Sequence, residues 1–264
     1  MTRRIDPMPF LDAGFPVRRF VFKETTASTN ADAENEPSGT VVAADCQTAG
    51  RGRLDHSWQS PPGVNLYFSV VVDCAGISPA EISTFPLAAG LAVCDALRQF
   101  LPPQSAPGLK WPNDILVCGR KLCGILCSLR GERIVAGIGV NVNQTEFPPE
   151  IASRATSLKL LSGRADGFFD RSAVLAALLR SLEARRMQWA RSGFLSLLPE
   201  IAELDLLKGR EVSVLRTDSD CSPARGVCGG IASDGSLLVG DERVYAGEAH
   251  VSLPPGAAVR SPGT

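Results

Sequence analysis

Three short apolar runs separated by two tight turns, between residues 109 and 144, constrain the fold more than any other part of the chain. The runs cover residues 115–117, 122–129 and 134–142, and the turns at 118–120 and 130–132 contain glycine, as β-hairpin turns often do. The runs are continuous rather than alternating, so the pattern predicts strands that are buried on both faces of a sheet.

Five polar residues stand at the ends of these runs, namely Lys110, Asn113, Asp114, Lys121 and Asn141. Polar groups beside buried strands cost free energy to remove from water, so such a set indicates a binding or catalytic site. The alternative is that all five are surface residues of turns.

Charge and composition argue against several classes of protein. The formal net charge of −1 argues against broad electrostatic binding to nucleic acid or anionic lipid. No apolar signal segment is apparent and no run approaches the length of a membrane span, which predicts a cytoplasmic protein. The eight cysteines include no C-x-x-C pair and only two histidines occur, which favours buried free thiols over disulfides or a zinc site.

Strand and helix patterns alternate before residue 205. Strands are predicted at 17–23, 40–44 and 64–72, and a short helix opens near Thr29, which has capping-box spacing to Asp32. The helical pattern over 78–100 contains Pro86, so the helix either starts near Thr84 or is interrupted there. A Pro/Ser linker at 101–108, a helical turn from residue 147, a helix at 170–193 capped by Asp170 and a helix at 194–204 complete this part.

The pattern changes near residues 204–208. Five short strands are predicted at 211–215, 226–231, 236–239, 243–245 and 248–253, and their spacing favours a small barrel-like module. Residues 1–18 are interpreted as a loosely ordered lead-in and residues 254–264, rich in Pro and Gly, as a disordered tail.

Two polar segments are candidate ligand contacts. Residues 50–53 are Gly-Arg-Gly-Arg. The glycines make the backbone mobile, and the arginine guanidinium groups can form paired hydrogen bonds with phosphate or carboxylate oxygens. Solvated loops and RNA-binding segments show the same pattern. The hydroxyl-rich start of the short helix either caps that helix alone or also binds the polar head of a ligand.

Together these motifs resemble the biotin protein ligase family, in the form that lacks an N-terminal DNA-binding domain. The matching segments, which keep the order and spacing of the family, are STN at 28–30, QTAGRGR at 47–53, Trp58 with SP at 60–61, GVNLY at 63–67, KWPND at 110–114, KLCGIL at 121–126 and GIGVN at 137–141.

The resemblance implies an α/β fold. It comprises a mixed-sheet catalytic domain at 19–206, of the type shared with lipoyl-protein ligases, and an SH3-like β-barrel domain at 207–253. It implies that biotin and MgATP are substrates, that biotinyl-5′-AMP forms, and that biotin passes to one lysine of a carboxylase carrier domain. On this basis we expect no tightly bound prosthetic group, no direct DNA binding and no membrane association. The expected state is a monomer or weak homodimer.

The resemblance also assigns residues. The catalytic groups are Lys121, Arg53 and Asp114, with Asp114 as a hard oxygen ligand of Mg²⁺ and Asn141 beside it, because joining a carboxylate to a phosphate requires cationic groups. The biotin contacts are Ser28, Thr29, Asn30, Gln47, Gly50, Arg51, Gly52, Arg53, Lys121, Gly124 and Gly137. The nucleotide contacts are Arg51, Arg53, Trp58, Lys110, Asn113, Asp114 and Asn141; Trp58 either stacks on adenine or belongs to the core.

Two positions depart from the family pattern. Ser128 stands where many relatives carry an acidic residue, so no catalytic role is assigned to it. The segment 55–57, Asp-His-Ser, is less basic than in some relatives, which bears on how tightly the adenylate is retained.

Three alternative functions remain at this point: lipoate or octanoate ligation on the same fold, a DNA-binding biotin sensor, and a bare biotin-binding module. The DNA-binding function needs two packed helices, for which Pro7, Pro9 and Pro16 leave no room. A bare binding module would not require arginines directed at phosphate.

Overall fold

The structure is a computed structural model that describes residues 5, 17–54, 56–163, 167–216 and 222–251. The predicted tail at 254–264 lies outside these ranges, as do Asp55, Cys221 and all of the predicted lead-in except Ile5, Val17 and Arg18.

A seven-stranded mixed sheet forms the body of the molecule. Its strands, in the order in which they pair across the sheet, are β1 (Arg19–Thr26), β2 (Thr40–Gln47), β3 (Leu66–Asp73), β7 (Arg133–Val140), β6 (Arg120–Arg130), β5 (Asp114–Val117) and β4 (Pro107–Lys110). β1 runs parallel to β2, and the other neighbours are antiparallel. The predicted mixed α/β fold is therefore confirmed.

The three apolar runs form the consecutive hairpins β5–β6–β7, as predicted. Cys118 and Gly119 in the first turn and Gly131 in the second have positive φ values of 50°, 75° and 58°. The expectation of burial on both faces is wrong for part of β6, where Leu129 is 48% exposed. The reason is that Leu129 is next to the last residue of β6, beside the exposed hairpin turn at 130–132.

The linker predicted at 101–108 is wrong at its end, because Pro107 and Gly108 belong to β4 and pair with β5. Both residue types are rare inside strands, so the local pattern conceals the strand. Gly108 is needed for packing: a Cβ there would lie 2.4 Å from a methyl carbon of Leu206.

Seven α-helices occur in the described ranges: α1 (Thr29–Ala33), α2 (Pro79–Ile82), α3 (Phe85–Leu97), α4 (Pro149–Ala152), α5 (Leu158–Ser162), α6 (Arg171–Ser192) and α7 (Leu198–Leu204), with 3₁₀ turns at Arg98–Phe100 and Phe194–Ser196. The break before Pro86 is confirmed, since α2 ends at Ile82 and α3 begins at Phe85. The predicted long helix and its Asp170 N-cap are also confirmed. α3 and α6 pack on each other, with the Phe85 and Trp189 rings 5.0 Å apart edge to face.

One sequence expectation about membrane spans needs correction. Pro79–Phe100, which joins α2, α3 and a 3₁₀ turn, has 22 residues and is long and apolar enough to cross a membrane. In its most apolar stretch, 67% is buried inside the fold, as in the central helix of a folded core. The sequence pattern does not reveal this length because Pro86 and the interruption between α2 and α3 divide the helical segment.

The C-terminal part forms a second, five-stranded sheet. Its strands are β8 (Glu211–Arg216), β9 (Ala224–Ile231), β10 (Leu237–Val239), β11 (Glu242–Val244) and β12 (Gly247–Val251), and all five strand predictions are confirmed. The antiparallel order is β11-β10-β9-β8-β12. Within 211–216 and 222–251 the edge strands β11 and β12 do not pair, so the sheet is open and a closed barrel is not confirmed.

The two sheets are joined through Trp111, whose side chain is 2% exposed. Its indole Nε1 donates a hydrogen bond of 3.0 Å to the carbonyl oxygen of Gly235, in the turn before β10. The turn that follows β4 is therefore anchored on the C-terminal sheet.

Asp170→Ala is expected to lower the free energy of unfolding by about 1 kcal/mol, because the carboxylate accepts the Ser172 backbone N–H at 2.9 Å at the start of α6. Asp170→Asn keeps an acceptor and should retain most of the stability. Urea unfolding of the three proteins measures the difference, and equal losses in both variants would contradict the capping role.

Candidate functional site

A cleft of about 620 Å³ lies over β6 and β7, bounded by the start of α1, the loop 51–59, the β4–β5 turn, residues 147–155 and β12. Of the predicted site residues, all but Gly50 line it, namely Ser28, Thr29, Asn30, Gln47, Arg51, Gly52, Arg53, Trp58, Lys110, Asn113, Asp114, Lys121, Gly124, Gly137 and Asn141. The structure thus brings together residues that are up to 113 positions apart in the sequence (from Ser28 to Asn141).

Gly50 stands behind the cleft and shapes the loop. A Cβ at this position would lie 2.7 Å from the Trp58 carbonyl oxygen and 2.9 Å from both Gln47 Nε2 and Ser60 Oγ. Only glycine leaves room for the loop to fold back on itself here.

One end of the cleft is a neutral hydrogen-bonding surface. Gln47 Oε1 accepts the Thr29 backbone N–H at 2.9 Å, and Gln47 Nε2 donates to Ser60 Oγ at 3.0 Å. The Thr29 hydroxyl lies 3.0 Å from the hydroxyl of Ser69, a buried residue of β3. These contacts fix the orientation of Gln47, so this end presents donors and acceptors in a defined pattern.

The predicted capping box is wrong. Ser28, not Thr29, is the N-cap residue of α1, and neither side chain caps the helix. Asp32 instead accepts a hydrogen bond from Thr26 Oγ1 at 2.6 Å and pairs with Lys23 Nζ at 2.8 Å. Because the hydroxyl-rich turn is not used for capping, the Ser28 and Thr29 side chains belong to the cleft.

Asn30 lies above Gly137, where a Cβ would be 2.7 Å from Asn30 Nδ2. Its Nδ2 donates to the Leu126 carbonyl oxygen at 3.1 Å, and its Oδ1 accepts a hydrogen bond of 3.3 Å from Ser128 Oγ. Sequence reasoning gave Ser128 no role, and its contact with Asn30 could not be seen without the register of β6.

The other end of the cleft is charged. Lys121 Nζ and Asp114 Oδ1 form an ion pair at 2.7 Å, with side chains that are 37% and 19% exposed. Asp114 Oδ1 is buried and, apart from this contact, makes no aligned hydrogen bond in the described ranges. A cation and an anion are thus held side by side within reach of a ligand.

Asn113 and Asn141 line this end, but their amides are engaged with the main chain. Asn113 Nδ2 donates to the Ile125 carbonyl oxygen at 2.7 Å. Asn141 Nδ2 donates to the Thr156 carbonyl oxygen at 3.0 Å, and its Oδ1 lies 3.5 Å from Asn65 Nδ2. Both amides hold together the segments that carry Lys121 and Asp114.

A magnesium ion at this end would have few protein ligands. In the described ranges, no group of three or more His, Cys, Asp or Glu side chains could hold a metal. Asp114 alone suits a Mg²⁺ ion that takes its other ligands from water and phosphate oxygens, as is usual for Mg²⁺ bound with a nucleotide.

Trp58 separates the two ends. Its indole lies on Gly124 and Gly139, which pair across β6 and β7; Cβ atoms there would be 2.9 and 2.5 Å from ring carbons. Lys121 Nζ is 5.4 Å from the ring centroid, within the range of a cation–π contact. The Trp58 Nε1–H is buried and has no hydrogen-bond partner among the described residues.

The loop that carries the arginines closes against β12. Arg53 Nη1 donates to the Gly247 carbonyl oxygen at 2.9 Å, and His56 Nε2 lies 3.2 Å from Glu248 Oε2. Burial lowers the pKa of Arg53, although the charges of Asp114 and Glu248 oppose this effect. Arg51 is exposed at the rim of the cleft.

Glu248 is a cleft residue that sequence reasoning missed. Burial by itself would raise the pKa of its carboxyl group, but the hydrogen bond with His56 and the charges of His250, His56 and Lys110 lower it. The sequence pattern of β12 does not indicate that Glu248 reaches the cleft over β6 and β7. The wall formed by residues 147–155 was likewise missed as part of the site.

Comparison with known proteins gives a consistent result. A sequence model of the biotin/lipoate A/B protein ligase family matches residues 18–144. A biotin--[acetyl-CoA-carboxylase] ligase of Mycobacterium tuberculosis is 38% identical over 186 residues, which cover 68% of each chain. The bifunctional ligase/repressor BirA of Bacillus subtilis is 33% identical over 189 residues, which cover 67% of this chain and 56% of that protein.

The fold is similar to that of the biotin protein ligase from Aquifex aeolicus, solved in complex with biotin and ATP. The TM-score is 0.77 at 30% sequence identity, and the match covers 89% of this chain and 99% of that chain.

Gly139→Ala is expected to push the Trp58 indole off the cleft floor, because all three nearest atoms to the new Cβ belong to that ring. Since Trp111 and Trp189 are 2% and 1% exposed, the resulting red shift and greater acrylamide quenching should come from Trp58. The same substitution in a Trp58→Phe background should leave the emission unchanged. A shift that persists without Trp58 would mean that the fold, not the indole, has moved.

Proposed function

This chain is a member of the biotin protein ligase family and therefore a ligase, and from this premise we propose that it forms biotinyl-5′-AMP from biotin and MgATP. In the second step it transfers biotin to one lysine of the carrier domain of acetyl-CoA carboxylase or a related carboxylase. The observation that carries the proposal is one cleft with a neutral hydrogen-bonding end and a charged end, which meet at Trp58.

The neutral end is assigned to the ureido ring of biotin. That ring has two N–H donors and one carbonyl acceptor and carries no charge. Ser28, Thr29, Asn30 and Gln47 supply hydroxyl and amide groups of both kinds, and Gly137 leaves space for the Asn30 amide against the sheet.

The charged end is assigned to the reacting groups. A biotin carboxylate oxygen attacks the α-phosphorus of ATP, the bond to the β-phosphate oxygen breaks, and pyrophosphate leaves with the bonding electrons. Lys121 stabilises the charge that gathers on the carboxylate and phosphate oxygens. Asp114 would hold the Mg²⁺ of MgATP, which would neutralise phosphate charge, and it keeps Lys121 in position through their ion pair.

Lys110, Asn113 and Asn141 border the nucleotide part of the cleft together with Arg51 and Arg53. Trp58 is proposed to cover the adenylate from the loop side. Transfer then requires the ε-amine of the carrier lysine to attack the acyl carbon, lose a proton and displace AMP. This chemistry needs no covalent bond to the enzyme. Cys123 and Cys127 are consistent with packing roles, since burial raises the pKa of Cys123 well above its usual range and that of Cys127 to about 12.

The domain organisation is part of the proposal. Residues 19–206 would form the catalytic domain and residues 207–253 an SH3-like domain that supports it. The support is the hydrogen bond from Trp111 to Gly235 and the contacts of Arg53 and His56 with β12. A cytoplasmic location, a monomer or weak homodimer, and no direct DNA binding complete the proposal.

The family also includes lipoate ligases, so the acyl substrate must be tested directly. Lipoate and octanoate have no ureido ring, so they would cover the polar groups at the Gln47 end without making the hydrogen bonds that a ureido ring can make. Pyrophosphate release with biotin, and not with lipoate or octanoate, supports biotin; the reverse preference would overturn it. Mass spectrometry of a carboxylase carrier domain incubated with biotin and MgATP tests the second step.

Lys121→Ala is expected to reduce biotin-dependent pyrophosphate release by about 10²- to 10³-fold, the usual effect of removing one group that stabilises transition-state charge. The fold should be retained, because the backbone N–H of Lys121 still donates to the Arg154 carbonyl oxygen. Lys159→Ala, a lysine outside the cleft, is the matched control. A folded Lys121→Ala protein that works at the wild-type rate would refute the assigned role.

Arg53→Gly is expected to make biotinyl-AMP but to release it faster. Loss of a charge-assisted hydrogen bond costs about 1.5–3 kcal/mol, or roughly ten- to a hundredfold in retention. Free adenylate should then label lysines of unrelated proteins. Arg53→Ala separates loss of the guanidinium group from added backbone freedom, and both variants should behave alike. An unchanged dissociation rate, with labelling confined to the carrier, would show that Arg53 does not retain the intermediate.

A further inference from the structure

The two histidines of this chain both lie near one carboxylate, that of Glu248. His56 Nε2 is 3.2 Å from Glu248 Oε2, and His250 Nε2 is 3.8 Å from Glu248 Oε1. Glu248 lines the cleft from β12 of the C-terminal sheet, whereas His56 lines it from the loop 51–59. The closer of the two contacts therefore joins the loop to the second sheet.

Two neighbouring positions of β12 hold one turn of the loop. Arg53 Nη1 donates to the Gly247 carbonyl oxygen at 2.9 Å, and the next residue, Glu248, faces His56. The His56 backbone N–H donates to the Arg53 carbonyl oxygen at 3.1 Å, so these two loop residues are tied to each other. A change at His56 therefore alters how firmly the whole turn docks on β12.

Glu248 is surrounded by cationic or protonatable groups from three elements. Those that face it among the described residues are Arg53 and His56 of the loop, Lys110 at the end of β4 and His250 of β12. Burial acts to raise the pKa of Glu248, but the hydrogen bond with His56 and the charges of His250, His56 and Lys110 lower it overall. The carboxylate is therefore an anion at neutral pH.

Histidine is the side chain that ordinarily changes charge between about pH 5 and pH 8, whereas aspartate, glutamate, lysine and arginine keep theirs. Asp55, next to His56 in the chain, lies outside the described residues and belongs to the constant class. The contact of His56 with Glu248 is an ion pair when the imidazole is protonated and a weaker neutral hydrogen bond when it is not. Glu248 stabilises the proton only while the loop is docked, so raising the pH favours the undocked loop.

Resting on the proposed function, we propose that His56 is a positioning residue that docks the loop 51–59 on Glu248 and makes the retention of biotinyl-AMP depend on pH. Retention is tightest when His56 is protonated. It weakens as the pH rises through the range in which histidine loses its proton.

The rate constant for dissociation of biotinyl-AMP is measured between about pH 6 and pH 8, where this ligand does not change charge. For the wild type it is expected to rise about two- to fivefold with pH, the range for a partly exposed ion pair. His56→Gln, neutral at every pH, should stay near the fast wild-type rate throughout. Glu248→Gln should also lose the pH dependence, because a protonated His56 no longer meets an anion.

His250→Gln is the matched control, since it removes the other histidine beside the same carboxylate. It should keep most of the wild-type change with pH, because His250 belongs to β12 and does not join the loop to it. A control that loses the pH dependence while His56→Gln keeps it would assign the effect to the wrong histidine and overturn the proposal.

Acrylamide quenching of Trp58 in the ligand-free protein gives a second measurement that does not depend on catalysis. Trp111 and Trp189 are buried, so a change in quenching should come from the loop tryptophan. The wild type should be quenched more at the higher pH, as the loop undocks. His56→Gln should be quenched to the higher extent at both pH values.

The outcomes separate the two proposals. If the wild-type protein forms no biotinyl-AMP, the proposed function fails, and the quenching measurement still tests docking of the loop. If the adenylate forms and leaves at the same rate at both pH values, or if His56→Gln keeps the wild-type pH profile, the role of His56 is overturned. A pH effect that survives Glu248→Gln would mean that His56 acts on the adenylate directly, and it would overturn docking through Glu248.

Discussion

The absence of side chains at three glycines of β6 and β7 is the constraint on which the site depends. Gly124 lies opposite Gly139, and Gly137 lies opposite Leu126, so three of these four paired positions are bare backbone. Trp58 and Asn30 fill the space that side chains would take. These two side chains therefore lie close against the sheet and form part of the cleft floor, while polar groups at either end determine the direction of a ligand.

Charges in the cleft are balanced in pairs rather than spread over the surface. Lys121 faces Asp114 at 2.7 Å, and the pKa of Arg53, although lowered by burial, is supported by the charges of Asp114 and Glu248. Such pairing reduces the cost of holding charged groups away from water. The residues that line the cleft nevertheless include five lysine and arginine side chains against three carboxylates, an excess of positive charge that favours an anionic ligand.

Periodic patterns and short motifs allowed much of the fold to be predicted. The three hairpin strands, the long helix after Asp170 and the five C-terminal strands follow from residue types whose local preferences agree with the fold. β4 could not be found because Pro107 and Gly108 disguise it. Closure of the barrel could not be decided because strand patterns do not record which edges pair. In the cleft, the predicted site residues other than Gly50 lie together, whereas the contacts of Glu248 with His56 and of Ser128 with Asn30 join different elements and leave no local signal.

Two of the contacts that tie the C-terminal sheet to the cleft end on main-chain carbonyls, those of Gly235 and Gly247. A carbonyl is the same chemical group whatever the residue, so evolutionary drift at most positions of the second sheet would leave these acceptors in place. The restriction falls instead on backbone shape. Gly235 has φ +80°, and a Cβ at Gly247 would sit 2.4 Å from the Leu215 carbonyl oxygen. The side chains of the second sheet can therefore diverge as long as the backbone keeps its conformation at Gly235 and Gly247. A search for homologues that compares only side chains would not detect this requirement.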